Sequence, residues 1–125
     1  MYRFSLCVPK SLKAERRMGV DTEYWIYSDE NNEVYIYTHY FAPEPGTEMK
    51  YPSFKEKYLL INGKYARMWF YEDNKADLKF FAGVRVYREN KPKGKAITII
   101  LHSNKLEFRE VAERIFKSIQ FEETK

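Results

Sequence analysis

The chain has 125 residues, 44% of them hydrophobic and 32% charged, a balance that fits one globular domain rather than a disordered or collagen-like chain and a length that leaves no room for a pair of enzymatic lobes. One cysteine excludes an internal disulfide framework, and two histidines are too few to close a His/Cys zinc site. The net charge of +4, from 22 Lys and Arg against 18 Asp and Glu, is a small surplus spread among acidic neighbours, whereas a nucleic-acid footprint needs clustered cations.

Aromatic residues reach 18%, against only 5 Gly and 5 Pro, which leans towards strands. Residues 3–8 alternate, with Phe4, Leu6 and Val8 on one side, and Pro9 ends the run because it cannot donate to a ladder. Met1 leads straight into that run, with no charged and then apolar segment ahead of it, so a signal peptide is not expected. Residues 11–22 read either as a helical turn or as a ragged strand ending at Gly19. Strands follow over about 23–28 and 33–41, joined by Asp29-Glu30-Asn31-Asn32, residues that tolerate positive φ.

Residues 42–52 carry Pro43, Pro45, Gly46 and Pro52 and leave the sheet in a longer connection. The sharpest local signal is Asn62-Gly63 between Tyr58–Ile61 and Tyr65–Tyr71, the preferred pair for a type I′ hairpin. Two further strands are expected over 78–88 and 96–102, on either side of a lysine-bearing tip at 90–95. Ser103 and Asn104 then offer N-caps, Glu107 completes a capping box, and Phe108, Val111, Ala112, Ile115, Phe116 and Ile119 form one apolar helical stripe. The expected class is α+β: a central antiparallel sheet of about six to seven strands with a C-terminal helix packed on one face. No apolar run approaches the roughly 18 residues of a membrane span.

A single helix covers only one face of such a sheet. The aliphatic residues Val34, Ile36, Met68, Phe70, Val84, Val86, Ile97, Ile99 and Leu101 are assigned to it. The other face collects Tyr35, Tyr37, His39 and Phe41, then Arg67, Trp69 and Tyr71, then Phe81, Arg85 and Tyr87. Rings with polar tips at that density are either covered by residues 42–57 and 10–20 or form a recognition surface. The candidate partner surface is therefore Tyr35, Tyr37, Phe41, Arg67, Trp69, Tyr71, Arg85 and Tyr87, open to a protein, a small ligand or a second copy of the chain.

Catalytic chemistry is not expected. Cys7, His39 and His102 are the only thiol and imidazoles, and no third residue orients a dyad. The five glycines form neither a GxGxxG nor a P-loop, and the acidic groups at 29–33 and 72–77 lack calcium-loop spacing. Cofactors, metals and catalytic residues are all read as none. Two weaker alternatives are a single-strand nucleic-acid binder using aromatics interleaved with Arg and Lys, and a small hydrolase using Cys7 and His39.

Three segments carry a family likeness: Phe4-Ser5-Leu6-Cys7-Val8-Pro9, Leu59-Leu60-Ile61-Asn62-Gly63-Lys64-Tyr65-Ala66, and Ala112-Glu113-Arg114-Ile115-Phe116-Lys117-Ser118-Ile119-Gln120-Phe121. In order and spacing they resemble the PsbP-like superfamily. That resemblance implies an α/β/α sandwich around an antiparallel sheet, adaptor or binding roles, and no catalytic residues to carry over. The long N-terminal extension and second helix of the larger photosystem and Ran-release members have no counterpart here. The small bacterial secreted or lipoprotein-type branch fits better, and with it a secreted or cell-envelope location. On this reading the chain is a non-enzymatic binding or protein-interaction domain.

Overall fold

The computed structural model describes residues 4–8, 12–18, 23–28, 33–37, 50–75, 77–87, 96–104 and 107–121. These form β1 (Phe4–Ser5), β2 (Lys13–Met18), β3 (Glu23–Ser28), β4 (Glu33–Tyr37), β5 (Lys55–Ile61), β6 (Lys64–Glu72), β7 (Phe80–Tyr87), β8 (Ala96–Ser103), α1 (Phe108–Lys117) and β9 (Gln120–Phe121). The chain is mostly antiparallel sheet with one C-terminal helix, the expected α+β class. The ladder runs β2-β3-β4-β8-β7-β6-β5. Its one crossover step, β4 to β8, sets Val34 opposite Leu101 and Ile36 opposite Ile99. β5 is thereby left at one end of the ladder.

Local chemistry explains the best-formed hairpin. Asn62 and Gly63 both have positive φ, 51° and 76°, the pair of values a type I′ turn requires and only such residues accept readily. The turn sets the β5–β6 register, in which Ile61 faces Lys64 and Lys55 faces Phe70. Residues 55–57, expected to belong to the connection, are therefore strand. Their Lys-Glu-Lys sequence lacks an apolar alternation because all three side chains are exposed, and the ladder to β6 alone makes them strand. Within the segment 11–22, Lys13–Met18 is strand, paired to β3. The β4 strand is described as far as Tyr37, and residues 38–41 of the expected strand lie outside the described residues.

Both ends of the described chain depart from expectation. The opening strand is only Phe4–Ser5 and pairs with β9, not with the main sheet. Leu6 and Val8 still pack on the core while Cys7 is exposed, so the alternation holds. The Cys7 N–H donates to Ser118 Oγ at 2.8 Å, which ties this segment to the end of α1. The capping box does not form: the N-cap is Glu107, with no side-chain capping bond. Asn104 Oδ1 instead accepts the Lys79 N–H at 2.8 Å, where it serves the turn between β6 and β7, which the Asp73 N–H closes on the Lys79 carbonyl at 2.8 Å. Glu110 in the first helical turn and Arg114 and Lys117 in the last oppose the macrodipole.

The helix stripe meets the aliphatic face as the period requires. Phe108, Ala112, Ile115 and Phe116 of α1, with Ile119 beyond it, share one buried cluster with Met68, Val84, Val86, Ile97, Ile99 and Leu101. Ala66 and Ala82 stand among them without exposed surface to speak of, and their small size lets the helix approach the sheet. Each fully buried Ile, Val or Met contributes about 1.5–3 kcal/mol of transfer free energy. This layer anchors the sheet and leaves the other face to be accounted for.

Candidate functional site

Cross-strand partners in an antiparallel ladder share a face, so the register assigns the second face directly. Arg67 stands opposite Arg85, Trp69 opposite Gly83, and Tyr71 opposite Phe81. Arg85 in turn faces Thr98, and Tyr87 faces Ala96. Tyr35 and Tyr37 stand opposite Ile100 and Thr98, and Phe41 and His39 lie outside the described residues. The face is therefore one continuous array, as the alternation implies.

Much of that array is interior. Trp69 is 4% exposed and Arg85 5%, and Tyr87 is buried too. The indole of Trp69 lies over Gly83, in the space that a Cβ there would occupy. Arg85 Nη1 donates to buried Thr98 Oγ1 at 3.0 Å, and its guanidinium carbon lies 5.4 Å from the Tyr87 ring centroid. These three members of the expected surface are packed groups and offer no open surface. Arg67 and Tyr71 are half-buried.

Two ring columns edge this buried centre. At one end Tyr51 stacks on Tyr71 (5.1 Å between centroids, 22° between planes), Tyr71 on Phe81 (4.7 Å, 4°), and Phe81 meets His102 at 4.4 Å. The Tyr51 hydroxyl donates to Asp73 Oδ2 at 3.0 Å. Ser53 Oγ accepts the Glu72 N–H at 2.8 Å. Residues 51–53 of the connection therefore do cover part of the face, over Tyr71. At the other end Tyr58, Tyr65 and Tyr87 follow one another at 5.9 and 5.8 Å, running from the buried centre out to β5.

At β5 the cover ends. Tyr58 is 55% exposed and Leu60 63%, and these are the large hydrophobic side chains that stand exposed among the described residues. Both lie on the aromatic face, opposite Arg67 and Tyr65. The same strand is held firmly from both sides. Arg67 Nε donates to Glu56 Oε2 at 2.7 Å. On the helix side Lys57 Nζ donates to Glu113 Oε1 at 2.8 Å, and Lys117 approaches Glu113 Oε2 at 3.4 Å. The Lys57 hydrogen bond, reinforced by the nearby lysine charges, holds the Glu113 carboxyl below its usual range despite partial burial.

The backbone adds a second property. A two-residue hairpin closes on a hydrogen-bonded pair, Ile61 with Lys64, and such pairs alternate along the ladder. Residues 55, 57, 59 and 61 thus bond inward to β6. The main-chain N–H and C=O groups of Glu56, Tyr58 and Leu60 point to the outer edge, where no described strand lies. The sequence reading missed Tyr58 and Leu60 as surface residues. The available signal was the Lys-Glu-Lys run entering an apolar Tyr-Leu-Leu-Ile, a charged and then apolar edge strand.

Chemistry elsewhere is sparse. A cavity of about 380 Å3 lies at the far end of the helix-side face, lined by Ser53, Lys55, Phe70, Tyr71, Glu72, Phe80, Phe81, Phe108 and Arg109. The Arg109 guanidinium covers the Phe70 ring there at 4.8 Å. Among the described residues no group of three or more His, Cys, Asp or Glu could hold a metal ion, and no helix is long and apolar enough to cross a membrane. Cys7 is exposed beside α1, and its postulated partner His39 lies outside the described residues. No protein-family model matches the chain, and no curated protein and no solved structure matches it.

Proposed function

We propose that this chain is a non-enzymatic protein-interaction domain that takes an extended polypeptide segment along β5, at the open margin of its aromatic face. The observation that carries the reading is the exposure of Tyr58 and Leu60, on one face of the strand at the end of the ladder. Strand addition uses main-chain hydrogen bonds for affinity and alternate side chains for specificity. β5 offers both, because Tyr58 and Leu60, its exposed large hydrophobic residues, are among those whose backbone groups point outward. The buried Trp69–Arg85–Thr98 centre supports that margin rigidly and does not itself meet the partner.

Within the same reading the sheet counts six to seven strands and the architecture is the PsbP-like α/β/α sandwich, with adaptor roles as that resemblance implies. The ladder order supports the strand count, and α1 on the aliphatic face supplies one of the two helical layers such a sandwich needs.

A selection from a random 12-residue peptide library on the immobilised full chain tests the function, with Leu60→Lys as the counter-target. Peptides with alternating apolar residues that bind the wild type and lose binding to Leu60→Lys are the expected result. Enrichment of peptides that bind both proteins equally would refute it.

A further inference from the structure

β5 is a good partner for another β5. We infer that the segment received at this edge is β5 of a second copy of the chain, paired antiparallel about a twofold axis through Leu59. The inference rests on the edge-docking reading above and names its occupant.

The register follows from parity and charge. A twofold axis normal to the sheet pairs residues whose numbers sum to a constant, and paired residues must share a face. The axis therefore passes through a residue and not between two. Through Lys57 it would set that lysine against its own copy, a like-charge opposition that is unfavourable in a ladder. Through Tyr58 it would set the Glu56 carboxylate, already engaged by Arg67, against the apolar Leu60. Through Leu59 it sets Tyr58 of each copy against Leu60 of the other, so both exposed apolar side chains of both copies are covered together.

The backbone agrees with that register. Tyr58 and Leu60 carry the outward-pointing N–H and C=O groups, so each Tyr58–Leu60 pair is a narrow pair with two hydrogen bonds. The charged half of the strand does not obstruct it. Lys57 is held down to Glu113 on the helix side at 2.8 Å, and Lys55 and Glu56 extend past Ile61 of the other copy to its turn. Because β5 has one free edge, the pairing closes as an isologous dimer and does not propagate. A single strand pair is small beside the roughly 1,200 Å2 at which standard stable interfaces begin, so the dimer depends on concentration.

The test is analytical ultracentrifugation of the full chain from about 5 μM to about 1 mM, a range that brackets weak association, combined with amide hydrogen exchange. The wild type is expected to move towards twice the 15.1 kDa chain mass as concentration rises. Tyr58→Lys and Leu60→Glu are each expected to stay monomeric with unchanged circular dichroism. Mixing the two variants is expected to restore the doubled mass, because in this register the introduced lysine of one copy faces the introduced glutamate of the other. A mixture that remains monomeric overturns the register. A wild type that stays monomeric throughout overturns the second copy as occupant. If in that monomer the Tyr58 and Leu60 amides exchange freely, edge docking itself survives; if they are protected, the edge is already covered and both readings fall.

Discussion

Gly83 is the position where one added methyl group should do the most damage. It faces Trp69 across the β6–β7 ladder, and a Cβ built on it would lie 2.6 Å from Trp69 Nε1, with Cε2 and Cζ2 nearer still. Ordinary contacts between such atoms begin at about 3.5 Å, so the indole must retreat by about 1 Å. Trp69 is 4% exposed, and interiors packed to crystal density have no free space of that size. Overpacking costs about 1–3 kcal/mol, and a rigid, buried indole places Gly83→Ala at about 3 kcal/mol. For a chain of this length that corresponds to a fall in Tm of about 10 °C.

Urea denaturation followed by circular dichroism measures the loss, and a double-mutant cycle assigns its cause. In a Trp69→Phe background the atoms nearest the new methyl group are gone, so Gly83→Ala should cost less than about 1 kcal/mol there, a coupling of about 2 kcal/mol between directly touching residues. Gly83→Ala within about 0.5 kcal/mol of wild type, or an equal cost in both backgrounds, would refute the packing argument.

Other perturbations follow from the same geometry. Gly63→Val forces a β-branched residue to φ 76°, so it should cost about 1–2 kcal/mol, and Gly63→Asn should recover most of that in thermal melts. Thr98→Val removes the acceptor for Arg85 Nη1 inside the sheet; a loss of about 1.5–3 kcal/mol is expected, with Thr98→Ser close to wild type in the same urea titration. Glu113→Gln breaks the Lys57 link between β5 and α1 and should cost about 0.5 kcal/mol at neutral pH. Because the folded carboxyl lies below its ordinary value of 4.5, the unfolded chain binds more protons in that window and stability falls with acidification. The gap between wild type and Glu113→Gln should therefore be full above pH 4.5 and close as pH drops through the lowered value. A gap that widens in acid would contradict the assignment.

The parts of this fold that are legible in the sequence are the parts decided locally. Asn62-Gly63 announces its turn because positive φ at two successive positions is a property of those two residues. The stripe from Phe108 to Ile119 announces a helix on a sheet because 3.6-residue spacing is a property of one segment. The capping box fails for the opposite reason: the Asn104 carbonyl oxygen is engaged by the Lys79 N–H, 25 residues away, a competitor that only the folded chain presents. Lys55-Glu56-Lys57 reads as loop because its strand character comes from β6 alone. The close approach at Gly83 is not legible locally, because only the ladder sets it under Trp69.

Alternation assigns residues to a face but says nothing of what covers the face, and this is why the candidate surface shifted from Trp69 to Tyr58. One cross-strand row shows the gradient. Thr98, Arg85, Arg67 and Tyr58 are successive partners from β8 to β5, and their environment passes from fully buried through half-buried to largely exposed. The row sets two arginines side by side, which in a ladder is unfavourable unless each has its own partner. Arg85 resolves this with Thr98 in the interior and Arg67 with Glu56 at the margin. The second of these fixes β5 in place while keeping Glu56 turned back to β6. What remains exposed at the margin is the Tyr58 and Leu60 side chains and the backbone groups beside them, and an apolar open strand edge is a template for pairing with another chain. The row therefore divides one face in two: a packed polar centre, and an outer strand on which Tyr58 and Leu60 stand exposed.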